Sequence, residues 1–100
     1  MLKANAEIMF TLEGRAYSGK INLRPVFSFG EGLLFSGAIT SKYDEYLPMQ
    51  SYEAEINFFT IKDEAYEAVK PLLKPDMKIT IREGKRIIGY SKLLDFVYVG

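Results

Sequence analysis

Apolar and polar residues alternate along most of this chain, and in only one stretch does the period lengthen. In residues 6–12, Ala6, Ile8, Phe10 and Leu12 fall on one side and Glu7, Met9 and Thr11 on the other. That is the period of two expected of a half-buried strand. Gly14 interrupts it. Residues 21–29 form a second strand, in which Pro25 removes a ladder donor, so an edge position or a bulge at Pro25 is expected. Gly30-Glu31-Gly32 reads as the turn of a hairpin joining this strand to residues 33–40. Residues 41–51 are polar, contain Pro48 and read as a loop. Residues 52–61 alternate most clearly, with Ala54, Ile56 and Phe58 inward and Glu53, Glu55 and Asn57 outward.

The period changes after Ile61. Ala65, Tyr66, Val69 and Leu73 share a helical face, and Asp63 stands where an N-cap belongs. Pro71 disfavours helical geometry at Lys70, which predicts one short helix near 63–70, about two turns long. Lys74-Pro75-Asp76 then turns into residues 77–83, with Met77, Ile79 and Ile81 inward, and Glu83-Gly84-Lys85 turns tightly into a last strand from Arg86. Strands joined by short turns, with one brief helix, predict an all-β fold. The expected architecture is a small closed six-stranded antiparallel β-barrel, one domain over residues 1–100, because closure hides edges this apolar.

Composition narrows the chemistry. Aromatic residues make up 14% of the chain, which suits pleated surfaces. There is no Cys and no His, so disulfides, thiolate metal sites, most zinc sites and the commonest general base are excluded; no metal and no cofactor are expected. Asp44-Glu45 is the only adjacent loop carboxylate pair not accounted for by a helix start, and nothing signals its burial; Ser18 and Ser36 have no His to activate them. No enzymatic role is expected. The N-terminus lacks the apolar run of a signal peptide, and no stretch reaches the ~18 apolar residues of a membrane span, so the expectation is a cytoplasmic protein without membrane contact.

Thirteen basic and thirteen acidic residues cancel globally but not locally. Asp44, Glu45, Glu53, Glu55, Asp63, Glu64 and Glu67 stand against Lys62 alone, whereas Lys70, Lys74, Lys78, Arg82, Lys85, Arg86 and Lys92 stand against Asp76 and Glu83. Lys78 and Arg82 alternate with inward residues and so line one outer face. They form either a basic strip for an acidic partner or a solvated face beside the acidic segment. Tyr43, Tyr46 and Tyr52, with Leu47 and Met49, form either a contact surface or a cap on one barrel end.

Four blocks resemble the third domain of bacterial translation elongation factor Tu. Ile81-Arg82-Glu83-Gly84-Lys85-Arg86-Ile87-Ile88-Gly89 resembles that domain's IREGxRTVG segment, and Leu23-Arg24-Pro25-Val26-Phe27-Ser28-Phe29 resembles YRPQFYF. Phe35-Ser36-Gly37-Ala38-Ile39 is similar to VTGTI, and Gly14-Arg15 to the GGR turn, in the same order and at similar separations. The resemblance implies a six-stranded closed barrel that is not catalytic, that touches protein partners and that helps hold the T-stem of transfer RNA. It also has departures. Ala16-Tyr17-Ser18 replaces His-Thr-Pro, and Gly30-Glu31-Gly32-Leu33-Leu34 replaces an Arg-Thr-Thr-Asp stretch, which removes polar groups that face RNA in the family. The segment from Lys62 to Val69 is longer and more helical than the family's loop. No GxxxxGK[ST] phosphate loop is present, so GTP is not an expected ligand.

A kept scaffold with an altered surface points to a non-enzymatic protein-binding module, for instance a small bacterial immunity or regulatory protein. The alternative is an RNA-binding module related to translation. The partner-binding residues expected on these grounds are Arg15, Tyr43, Tyr46, Lys78, Arg82, Gly84, Lys85 and Arg86.

Overall fold

Leu2, Ala4, Ala6, Ile8 and Phe10 are all buried and form the inner face of the first strand, β1 (Leu2–Phe10). The alternation therefore starts four residues before Ala6, where Lys3 and Asn5 already occupy outward positions. In this computed structural model the described residues are 1–11, 17–18, 24–30, 32–40, 43 and 45–100. The remaining strands are β2 (Tyr17–Ser18), β3 (Val26–Ser28), β4 (Leu34–Ser36), β5 (Ala38–Thr40), β6 (Glu45–Tyr46), β7 (Ser51–Phe58), β8 (Lys78–Glu83) and β9 (Arg86–Tyr98). Between β7 and β8 lie the helix α1 (Glu64–Val69) and a 3-10 turn, Lys70–Leu72.

One sheet runs β4-β3-β8-β9-β1-β7-β5, every pair antiparallel, and a small second ladder joins β2 to β6. The two outermost strands of the large sheet, β4 and β5, are consecutive pieces of one chain segment, separated only by Gly37. That segment pairs with β3 through its first half and with β7 through its second. The sheet thus returns on itself as a nearly closed barrel. Its seven paired strands correspond to the six stretches of alternation, since the stretch at 33–40 is divided at Gly37.

Packing explains the division. A Cβ at Gly37 would lie 2.7 Å from Ile56 Cγ2, 2.8 Å from Phe27 Cε2 and 2.8 Å from Phe58 Cε1. Only a residue without a side chain lets the strand change partners this close to the core, and its N–H donates to the Pro25 carbonyl at 3.1 Å. Gly37→Ala is expected to cost about 1–3 kcal/mol, the usual range for overpacking where side-chain neighbours yield partly. A urea titration reads this as a lower midpoint at unchanged slope.

The interior holds two aromatic groups separated by aliphatic residues. At one end Phe58 meets Phe27 (5.1 Å between ring centroids) and Phe29 (5.2 Å), and Phe29 meets Phe35 (5.8 Å). At the other, Phe10 meets Tyr46 (5.7 Å). Ala4, Ala6, Ala54, Ile8, Ile56, Ile79, Ile81 and Leu93 are buried with them. The one buried polar side chain among the described residues, Ser91, donates to the Ile79 carbonyl at 3.0 Å.

Three expectations change. Pro25 lies just before β3, and β3 is flanked by β4 and β8, so it is neither an edge strand nor bulged at the proline. The ladder therefore loses no donor. Asp63 occupies the N-cap position with φ 54°, but its side chain makes no capping bond; its backbone N–H instead donates to the Tyr98 hydroxyl at 2.9 Å. Stacking of Tyr66 on Tyr98 at 3.7 Å holds the helix at this end of the barrel. The one short helix ends at Val69 as expected, but Lys70 keeps helical angles (φ −49°, ψ −45°) and Pro71 follows it within the 3-10 turn, where a missing N–H is harmless. The loop at 41–51 also contains a short strand, β6, that sequence patterning does not show.

Candidate functional site

The outer face of the barrel is divided by charge, and the register of the strands divides it. Across the row β7-β1-β9-β8, Glu53 stands directly opposite Glu7, Glu7 opposite Lys92, and Lys92 opposite Lys78. Directly opposed side chains on one face sit about 4.5–5.5 Å apart at Cβ, where like charges destabilise. Two like-charge pairs therefore flank one mixed pair. The acidic side continues with Glu55 on β7, and the basic side with Arg82 on β8.

A local irregularity in β9 brings Lys78 and Lys92 together. The turn at Gly84-Lys85, with Gly84 at φ 64°, pairs Glu83 with Arg86 and Arg82 with Ile87. Continued without interruption, that register would place Ser91 opposite Lys78. A shift between Ile81 and Arg82 moves the pairing by one residue, and Lys92 takes that place. Such bulges re-aim side chains. Neither lysine forms an ion pair among the described residues, nor does Arg82. Lys78→Glu is therefore expected to stabilise the barrel by about 0.2–1 kcal/mol at low salt, by placing opposite charges at this position. A rise in the urea midpoint that disappears in high salt would show it.

Beside this basic row, β8 and the β3–β4 turn enclose a groove of 500 Å³ lined by Ser28, Phe29, Gly30, Gly32, Leu34, Lys78, Thr80 and Arg82. Ser28 lies opposite Thr80, and Val26 opposite Arg82. Arg82 is half-buried, and its Nε is buried with no acceptor. Apart from their chain neighbours, Gly30 and Gly32 have nothing within 4 Å of the place a Cβ would take.

The sequence-derived residues fall into separate places. Lys78 and Arg82 share the outer face of β8. Gly84, Lys85 and Arg86 are exposed at the β8–β9 turn. That turn lies at the same barrel end as the tyrosines, where the Met49 N–H donates to the Phe10 carbonyl at 2.7 Å and the Thr11 N–H to the Ile88 carbonyl at 2.9 Å. Arg15 lies outside the described residues, as does Asp44.

Tyr46, expected at the contact surface, is instead a core residue at 1% exposure and offers a partner almost no surface. It packs on Phe10, Tyr43 (6.2 Å) and Tyr52 (5.1 Å), while Tyr43 and Tyr52 meet at 4.9 Å. The cluster plugs this end of the barrel. Tyr52 also accepts a bond from the Leu47 N–H at 2.9 Å, which fixes the loop over the plug. Tyr43 is partly buried against the same group, and among the described residues of this loop the large apolar side chains left exposed are Leu47 and Met49.

Patterning missed Ser28, Phe29, Gly30, Gly32, Leu34 and Thr80 as groove residues. The signal present was the pair of glycines in the turn. Among the described residues no group of three or more His, Cys, Asp or Glu is placed to hold a metal ion, and no helix is long and apolar enough to cross a membrane. No protein-family model matches this chain, and no curated protein matches it.

Proposed function

We propose that this barrel is a non-enzymatic protein-binding module that grips an acidic partner through the basic face of β8 and β9. The observation that carries the reading is the Lys78–Lys92 opposition, a like-charge contact held in register, in which neither lysine forms an ion pair among the described residues although Glu7 stands on the far side of Lys92. A purely structural surface gains by pairing such charges, whereas a docking surface keeps them unpaired until the partner supplies the opposite sign. Complementary charge then speeds and orients encounter. The likeness of four sequence blocks to the third domain of elongation factor Tu fits a barrel that works by its exterior. A small bacterial immunity or regulatory protein acting in the cytoplasm is the setting we propose.

The test is affinity capture from a bacterial lysate, comparing the wild-type protein with a Lys78→Glu/Arg82→Glu/Lys92→Glu variant. The expected result is an acidic protein held only by the wild type and released near 1 M salt, where screening acts over about 3 Å. Identical recovery by both proteins would sink the reading. The exposed Lys85 and Arg86 at the β8–β9 turn favour a second reading, an RNA-binding module. Capture abolished by ribonuclease would replace the first reading with this one.

A further inference from the structure

We infer that the groove between β8 and the β3–β4 turn seats a carboxylate side chain carried on an extended, partly apolar acidic segment of a protein. This rests on the protein-binding reading and names the subsite within that face. Three features converge on one spot. Arg82 holds its Nε buried with no acceptor. The residue as a whole is half-buried and lines the groove, so its charge faces that space. Lys78 lies on the same face of the same strand, roughly 13 Å from Arg82 by strand rise, with Thr80 between them. Across the groove stand Gly30 and Gly32, which have no side chains of their own to fill it.

The chemistry of the lining selects the occupant. A guanidinium binds a carboxylate through two parallel N–H bonds, and with its Nε shielded Arg82 offers its terminal N–H groups for that geometry. Thr80 and Ser28, opposite one another on paired strands, add hydroxyl-bearing residues to the same groove lining. Leu34 is 52% exposed at the groove, which suits an apolar side chain next to the acid. A long polyanion fits less well. A nucleic-acid backbone needs cations continued along its path, and here the face turns acidic two strands from β8, at Glu7, and stays so at Glu53 on the third.

The probe is an acetylated, amidated hexapeptide of alternating leucine and glutamate, titrated into ¹⁵N-labelled protein, with its glutamine counterpart and inorganic phosphate as separate arms. The expected result is saturable shifts of the Arg82 Nε–H and of the Gly30, Gly32 and Thr80 amides with the glutamate peptide and none with the glutamine peptide. Arg82→Lys, which keeps the charge but removes the fork, should weaken binding by about tenfold or more, since a charge-assisted bond is lost. Lys78→Gln, at an exposed position that leaves the fold intact, should weaken it severalfold, and Lys70→Gln should not change it. Equal binding of the glutamine peptide overturns the inference, as do shifts that leave Arg82 and Gly32 unmoved, or phosphate binding where the peptide does not. A captured partner that still binds Arg82→Lys removes this subsite while the protein-binding reading stands. Peptide binding at the groove with no partner captured leaves the subsite and removes the wider reading.

Discussion

Phe58→Ala is expected to lower the stability of the barrel by about 3–5 kcal/mol, the range for removing a fully buried aromatic ring. Phe58 is 0% exposed and its ring is the hub of one aromatic group, with Phe27 at 5.1 Å and Phe29 at 5.2 Å in edge-to-face contact. The strand segment beside it cannot readily fill the void, because its nearest residue is Gly37, which has no side chain to move inward. A domain of this size has only about 5–15 kcal/mol of net stability, so the loss is a large fraction of the whole. Thermal unfolding should shift down by about 12 °C or more. The same geometry predicts coupling. A methyl at position 37 would strike Phe58 Cε1 at 2.8 Å, so Gly37→Ala should cost less in the Phe58→Ala background than alone. A double-mutant cycle measures this; strict additivity would mean the two sites do not share the space described.

Most of the barrel could be read from the sequence because alternation is imposed wherever one face is buried. Ile79 and Ile81, and Ala54, Ile56 and Phe58, could only lie inside. The helix was legible because its apolar spacing changed from two to about 3.6, and Val69 is indeed fully buried. What could not be read depends on contacts between distant segments. Tyr46 sits in a polar loop and looks like a surface aromatic, yet the pairing of β6 with β2 turns it inward. The strained φ of Asp63 follows from a bond to Tyr98, 35 residues away. The division of the third alternating stretch at Gly37 depends on how near Phe27, Ile56 and Phe58 approach.

The candidate site was legible as composition and not as arrangement. The sequence placed Lys78 and Arg82 on one face and counted Lys92 among the neighbouring bases. Their opposition to one another depends on the bulge between Ile81 and Arg82, and no local pattern announces a one-residue shift. A second shift, on the β1 side of β9 between Asn5 and Ala6, moves Phe96 to the position facing Ala4, where it is 36% exposed. Each bulge also breaks the alternation within β9, which has Ile88 and Gly89 buried in succession and Asp95, Phe96 and Val97 exposed in succession.

That same strand carries the sharpest constraint on the fold. Gly89 pairs with Phe10 on one side and Ile81 on the other, just past the bulge. A Cβ there would meet the Met9 carbonyl oxygen at 2.6 Å and the Phe10 Cα at 3.1 Å. At Gly37 the obstacles are side chains, which can rotate; at Gly89 they are backbone, which can yield only by pushing β1 away from β9. Gly89→Ala is therefore expected to exceed Gly37→Ala in cost, at or beyond the upper end of the ~1–3 kcal/mol typical of overpacking. The damage should also be localised. Hydrogen exchange should accelerate first at the Thr11 N–H, bonded to the Ile88 carbonyl at 2.9 Å, and at the Met49 N–H, bonded to the Phe10 carbonyl at 2.7 Å, because both depend on the position of the end of β1. The opposite end, where the Leu2 N–H donates to the Ile61 carbonyl at 3.1 Å, should keep its protection longest. If Gly89→Ala proved no more destabilising than Gly37→Ala, or exchange rose evenly along β1, the close passage of β1 against β9 at this glycine would not be what sets the barrel's register.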